Sequence, residues 1–185
     1  MKRTLLLLTM LTALCAIPAN AQEHLTFENI PICGNIHDFT AALQQKDWRL
    51  EGAHYSNEKI EVYLTNKRGN YLLEATVGVN ADKNVTDLTV LRPTTRSWDK
   101  IHTEYLSLKD KLDRTYGEAR KTEENIDNTL RNPIDGLSPG TTTLRVVYVT
   151  REGIISLTVI PSGKGARTAL SYQDNPWTTY SLKDL

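Results

Sequence analysis

The chain has 185 residues, with 22 basic and 22 acidic side chains and a formal net charge of zero. This length suits one domain, or two small halves that share one core. The balanced charge and the lack of basic runs argue against nucleic acid and anionic membrane surfaces as partners. Beyond the first residues no apolar stretch is long enough for a transmembrane helix, so we expect no transmembrane segment.

The first 21 residues have the order of a secretory signal peptide. Lys2 and Arg3 give a positively charged start, residues 5–17 are mostly apolar, and Ala19-Asn20-Ala21 matches the A-x-A cleavage pattern. We expect cleavage after position 21 and export of the remaining 164 residues to the periplasm or the medium. These residues contain 20 basic and 22 acidic side chains.

Residues 22–93 predict one helix followed by four strands. Asn35 can cap a helix that runs to about Lys46, because its side chain can accept from a free backbone N–H in the first turn. Apolar and polar residues then alternate with the period of two that is typical of half-buried strands. The predicted strands are 49–56, 59–65, 71–79 and 85–91.

Residues 94–185 predict the same order again. Ser97 is an N-cap and Gly117 a stop for a long helix, since glycine adopts left-handed backbone angles without strain. Its apolar stripe has helical spacing and consists of Trp98, Ile101, Tyr105, Leu108 and Leu112. The predicted strands are 118–126, 142–150, 153–160 and 167–173. A polar insert at 127–140, with two prolines and two glycines, predicts a mobile loop or a short helix.

Strands that follow one another through short turns pair antiparallel. The predicted fold is therefore α+β, with two helix-plus-four-strand antiparallel repeats and both helices packed on one face of the sheet. This pattern resembles the beta-lactamase inhibitor protein fold. The stretches LTFENIPICGNIHDFTAAL and ISLTVIPSGKGARTALSYQDN also resemble small exported bacterial proteins of unassigned function. The resemblance covers nearly all of residues 22–185, implies the fold, and brings no functional motif.

With the helices on one side, the other sheet face is left for water or a partner. We therefore predict a non-catalytic protein that binds a protein or a carbohydrate. The candidate binding residues on this face are Glu61, Tyr63, Thr65, Leu72, Glu74 and Thr76. Trp177 and Tyr180 near the C-terminus are further candidates, although the favoured role for Trp177 is to anchor the tail to the body. Segment 142–150 is apolar on both faces, so the tail, the insert or a second copy in a homodimer must cover it.

Two alternatives remain. An envelope-associated hydrolase would use Cys33, which precedes a helix and has His37 four residues on, or the carboxylates of Glu123 and Glu124. A structural or assembly protein of the cell envelope would need no such site. The four histidines lack metal-ligand spacing, so we predict no metal and no cofactor. Cys33 is the only cysteine after position 21, which leaves no partner for an intramolecular disulfide.

Overall fold

The computed structural model describes residues 24–56 and 60–174, which form an α+β structure. The predicted signal peptide, Trp177 and Tyr180 lie outside the described residues. Within the described ranges there are two α-helices, α1 (Ile36–Gln44) and α2 (Trp98–Tyr116). The strands are β1 (Thr26–Phe27), β2 (Ile30–Pro31), β3 (Trp48–Tyr55), β4 (Ile60–Arg68), β5 (Tyr71–Val79), β6 (Val85–Leu91), β7 (Lys121–Asn125), β8 (Thr143–Val149), β9 (Gly153–Ser162) and β10 (Gly165–Asp174).

Both helices begin and end close to their predicted boundaries because their capping residues act as expected. The side chain of Asn35 accepts a hydrogen bond from the backbone N–H of His37 at 2.9 Å. The hydroxyl of Ser97 accepts from the N–H of Lys100 at 3.4 Å. Gly117 ends α2 with φ of 80°, a conformation that costs glycine little. Neither helix in the described ranges is long and apolar enough to cross a membrane.

Eight strands form one continuous antiparallel sheet in the order β3-β4-β5-β6-β10-β9-β8-β7, and β1 and β2 form a separate pair. In chain order, α1 is followed by β3 to β6 and α2 by β7 to β10. The last strands of the two series, β6 and β10, pair with each other at the centre of the sheet. Their register places Tyr172 opposite Leu88 and Ser171 opposite Thr89.

The core lies between one face of this sheet and the two helices. Leu64 pairs with Ala75, which pairs with Val90, and all three are buried on this face. The buried side chains of α1 and α2 belong to the same cluster. Hydrogen bonds fix α2 in place: the hydroxyl of Tyr148 donates to Asp113 at 2.7 Å. We call the other side of the eight-stranded sheet, which carries neither α1 nor α2, the open face.

The α2 stripe is only partly core. Ile101, Tyr105 and Leu112 are buried, whereas Trp98 and Leu108 are half-buried and pack against the edge of the cluster. The aromatic ring of Trp98 instead stacks on His102, with 5.3 Å between ring centroids. The helical spacing thus predicts which face of α2 contacts the sheet, but it does not predict how deeply each residue of that face is buried.

The insert at 127–140 contains a short 3-10 helix, Pro133–Gly136. A short helix is one of the two structures predicted for this segment. Asn132 caps it by accepting from the N–H of Ile134 at 3.2 Å. Ile134 is buried in the core cluster together with Leu144, whose side chain lies on the helix-covered face of β8. The insert is therefore attached to the core side of the second half.

Candidate functional site

The six predicted binding residues of β4 and β5 share the open face. Tyr63 pairs with Thr76 and Thr65 with Glu74, while the residues between them on both strands are core residues. Because successive strand residues point to opposite faces, these four side chains project away from the helices. Glu61 and Leu72 have the same parity on their strands and lie on the same face.

A row of hydroxyl-bearing side chains crosses the open face. Reading across the ladder, Tyr63 pairs with Thr76, Thr76 with Thr89, Thr89 with Ser171, and Ser171 with Ser156. Neighbouring strands lie about 4.8 Å apart, so these five residues form a strip roughly 20 Å long. The hydroxyls of Thr89 and Ser171 are hydrogen-bonded at 3.0 Å. We call these five residues the hydroxyl row.

Charged side chains flank the Tyr63 end of this row. The hydroxyl of Tyr63 donates to Glu61 at 3.0 Å, and this bond to a carboxylate is the main reason why the pKa of Tyr63 is raised. On the other side of the row, Arg167 donates to Glu74 at 2.6 Å. Thr65 donates to Glu51 at 2.5 Å across the β3–β4 pair. The surroundings of Tyr63 are therefore polar and predominantly acidic.

Large exposed apolar and aromatic side chains concentrate in the first half of the sheet. Tyr63 is 38% exposed and Leu72 is 50% exposed. Tyr71 and Leu72 begin β5 directly after the tight turn Gly69-Asn70. The β4–β5 part of the open face thus displays one exposed tyrosine and one exposed leucine within an otherwise polar surface.

The second half of the open face, which the sequence predicts to be covered, carries one buried and one exposed valine on β8. Val147 is only 1% exposed although its strand neighbours Val146 and Tyr148 point into the core. Val149, two residues on, is exposed and pairs with Ile154. The insert lies on the core side through Ile134 and is not the cover for Val149. Residues 175–185, the predicted tail cover, lie outside the described residues.

The thiol of Cys33 lacks the environment of an activated nucleophile. Burial and the negative charge of Asp174 raise its pKa, whereas a reactive thiol needs a lowered pKa. His37 is exposed on α1. The histidine held by an acid is instead His24, whose Nδ1 lies 2.6 Å from an oxygen of buried Asp174. The structure therefore does not support the pairing of Cys33 with His37 as nucleophile and base.

Glu123 and Glu124 do not form a pair of catalytic carboxylates. They are consecutive residues of β7, so their side chains point to opposite faces of the sheet. Glu124 accepts from the hydroxyl of Tyr105 at 3.0 Å under α2. Glu123 lies on the open face within 4 Å of the cationic groups of Lys121 and Arg145. The predicted hydrolase alternative needs two carboxyl groups that flank the bond to be cleaved. Two carboxyl groups on opposite faces of a sheet cannot do this.

A cavity of about 600 Å³ lies between the start of β5, the segment before α2 and the first turns of α2. Its lining includes Tyr71, Lys100 and Glu104. The carboxylate of Glu104 is already engaged, because it accepts from Thr168 at 2.6 Å and lies 3.1 Å from the Nε of Arg92. Glu104 thus fastens α2 to the sheet. No group of three metal-ligating side chains occurs among the described residues.

The sequence predicts the β4–β5 part of the open face but not the continuation of the hydroxyl row across β6, β10 and β9. Thr89, Ser156 and Ser171 occupy polar positions in strands whose apolar and polar residues alternate. This alternation indicates that their side chains point away from the core. What the sequence does not reveal is that β6 pairs with β10, which places these three residues in line with Tyr63.

Comparison of the chain with protein-family models, curated proteins and solved structures finds no match.

Proposed function

We propose that this chain is an exported, non-catalytic binding protein that uses the open face around Tyr63. The observation that carries this proposal is the cross-strand arrangement of Tyr63, Thr76 and Thr89 on a sheet face that neither helix covers. A sheet face held by a packed core on its other side is rigid, so binding there requires little ordering of the backbone. Rigidity of this kind favours recognition.

A protein is the partner that this surface fits best. Tyr63 and Leu72 supply exposed anchors, and Glu61, Thr65 and Glu74 surround them with polar groups. Protein interfaces combine such apolar or aromatic anchors with a polar rim, and tyrosine is enriched among the residues that dominate affinity. The two acidic side chains favour a partner surface with basic groups opposite them.

A carbohydrate is the second candidate, and the hydroxyl row is the observation that favours it. Thr76, Thr89, Ser171 and Ser156 offer a line of small hydrogen-bonding groups that ends at the aromatic ring of Tyr63. Sugars present hydroxyls that can both donate and accept, and an aromatic ring can pack against their apolar faces.

Export belongs to the same proposal. It is supported by the charged, apolar and A-x-A order of the first 21 residues. The mass of the protein isolated from its host tests it: a chain that begins at Gln22 is expected, and an intact N-terminus would contradict it. We further propose that the two helix-plus-four-strand series are structural repeats of the kind that the inhibitor-like pattern implies. The identical element order on either side of the β6–β10 pair supports this.

A structural or assembly role, including a homodimer, would use the second half instead. The observation that favours it is the exposed side chain of Val149 on β8, which lies opposite the half-buried Ile154 of β9. Sedimentation at several concentrations tests it, and a mass that stays monomeric throughout the series would rule out the dimer.

Affinity capture from a cell-envelope extract tests the binding proposal with a matched pair of variants. Thr76→Arg places a long cation within the hydroxyl row, whereas Thr103→Arg places it on exposed α2. Both variants should melt close to the wild type because both positions lie outside the core. We expect Thr76→Arg to lose the captured partner and Thr103→Arg to retain it. Retention by both variants would move the site off the open face, and an array of soluble glycans probed with the same pair tests the carbohydrate alternative.

A further inference from the structure

Besides the cavity next to α2, a second concave surface lies on the helix-covered side of the sheet, opposite to the open face. It is a groove of about 260 Å³ between the first turns of α1 and the strands β3, β4 and β5. Most of its lining is apolar. The lining residues are Ile36, His37, Thr40, Leu50, Gly52, Ala53, Tyr55, Ile60, Val62, Val79 and Lys83.

The groove exists because α1 is short and β3 is an edge strand. The nine residues of α1 bury Ile36, Phe39 and Leu43, but they do not cover the outer strand. Leu50 and Tyr55 of β3 are consequently 51% and 73% exposed along the groove. A concave surface that displays two large apolar side chains to water favours a ligand with an apolar body.

One lysine, Lys83, lines the groove, and no aspartate or glutamate is among its described lining residues. The backbone of Lys83 is held in place, since its carbonyl accepts from Ile36 at 3.0 Å and its N–H donates to Asn80 at 3.0 Å. The main chain of Lys83 is therefore fixed at the edge of an apolar groove, and its flexible side chain carries a positive charge there.

We propose that this groove binds a small amphipathic anion: an apolar acyl or aryl body beside Leu50 and Tyr55, and a single carboxylate-type head at Lys83. The volume is slightly below the roughly 300 Å³ of the smallest drug-sized sites, so the body is short. The apolar walls supply affinity that grows with chain length, and the charge-assisted contact with Lys83 selects the anion. This site is independent of the proposed function, because it lies on the helix side of the sheet.

Calorimetric titration with octanoate, octan-1-ol and octylamine tests the proposal. We expect octanoate to saturate at one molecule per chain and to bind at least about tenfold more tightly than the alcohol, with the amine weakest. Shortening octanoate to hexanoate should weaken binding about fourfold for each methylene removed. Absence of saturable octanoate binding, or equal affinity for the anion and the alcohol, would overturn the proposal.

Two variants locate the head group. Lys83 has φ of 62°, a left-handed conformation that asparagine tolerates well, so Lys83→Asn removes the charge without adding backbone strain. It should reduce octanoate affinity to that of octan-1-ol and leave the alcohol unaffected. Lys111→Asn on the exposed side of α2 is the control and should bind octanoate like the wild type. Unchanged octanoate binding by Lys83→Asn, or an equal loss in both variants, would contradict the assigned site.

Discussion

Tyr63 lies directly opposite Thr76 in the β4–β5 pair, and both side chains project from the sheet face that carries neither helix. Thr76 in turn lies opposite Thr89 of β6, which pairs with β10. This relationship links the predicted binding residues of the first half to the centre of the sheet. A partner that contacts Tyr63 can therefore also contact the other residues of the hydroxyl row, because all five side chains project from the same face of the sheet.

Ile101 tests the packing of α2 on the sheet. Its side chain is 1% exposed, so Ile101→Ala should lower the free energy of unfolding by about 2–5 kcal/mol. Leu108 is the matched control on the same helix, since it is only half-buried and its truncation should cost clearly less. Urea unfolding of the two variants measures both values. Equal losses would show that the whole stripe is core, as the helical period alone suggests.

The sequence predicts α2 well because all its signals are local. The cap at Ser97, the stop at Gly117 and the apolar spacing between them need no knowledge of the rest of the fold. The alternation in β4 and β5 is local too, and it correctly assigns Tyr63 and Thr76 to one face. These features were predictable because each is determined within one helix or one hairpin.

Features that depend on contacts between distant segments were not predictable. The pairing of β6 with β10 joins residues about 80 positions apart, and no residue pattern in either strand selects the other as its neighbour. The same holds for the contact of His24 with Asp174, at opposite ends of the described chain. Glu123 and Glu124 show the converse: they are adjacent in sequence, but strand geometry separates their carboxylates.

Gly165 tests the junction between the β9–β10 hairpin and the segment before α2. A Cβ built at this position would lie 2.4 Å from the backbone carbonyl oxygen of Thr95, which accepts from Ala166 at 2.8 Å. A backbone atom cannot move aside cheaply, so Gly165→Ala should destabilise the protein by about 1–3 kcal/mol. Gly52→Ala is the control, because a Cβ there meets nothing within 4 Å. Thermal melting that ranks Gly52→Ala as the more harmful change would refute this account of the junction.

Asp174 predicts a specific dependence of stability on pH. Burial raises the pKa of its carboxyl group, and hydrogen bonds from His24 and Leu25 offset part of this rise. The stability contributed by the protonated group is present below the pKa of the unfolded chain and is lost as the pH rises through the higher folded pKa. Asp174→Asn should therefore gain stability relative to the wild type as the pH increases across this window. Denaturant unfolding of both proteins at a series of pH values measures the difference, and a relative loss with rising pH would contradict the prediction.

The most direct test of the open-face proposal combines a melting curve and a binding isotherm for Tyr63→Ala, with the partner recovered by affinity capture. Tyr63 points away from the core, so its truncation should change stability by about 1 kcal/mol or less. If Tyr63 anchors the partner, the same change should weaken binding by about 1–3 kcal/mol, or roughly five- to 150-fold. A folded variant that binds the partner as tightly as the wild type would contradict the central claim that this face is the binding site.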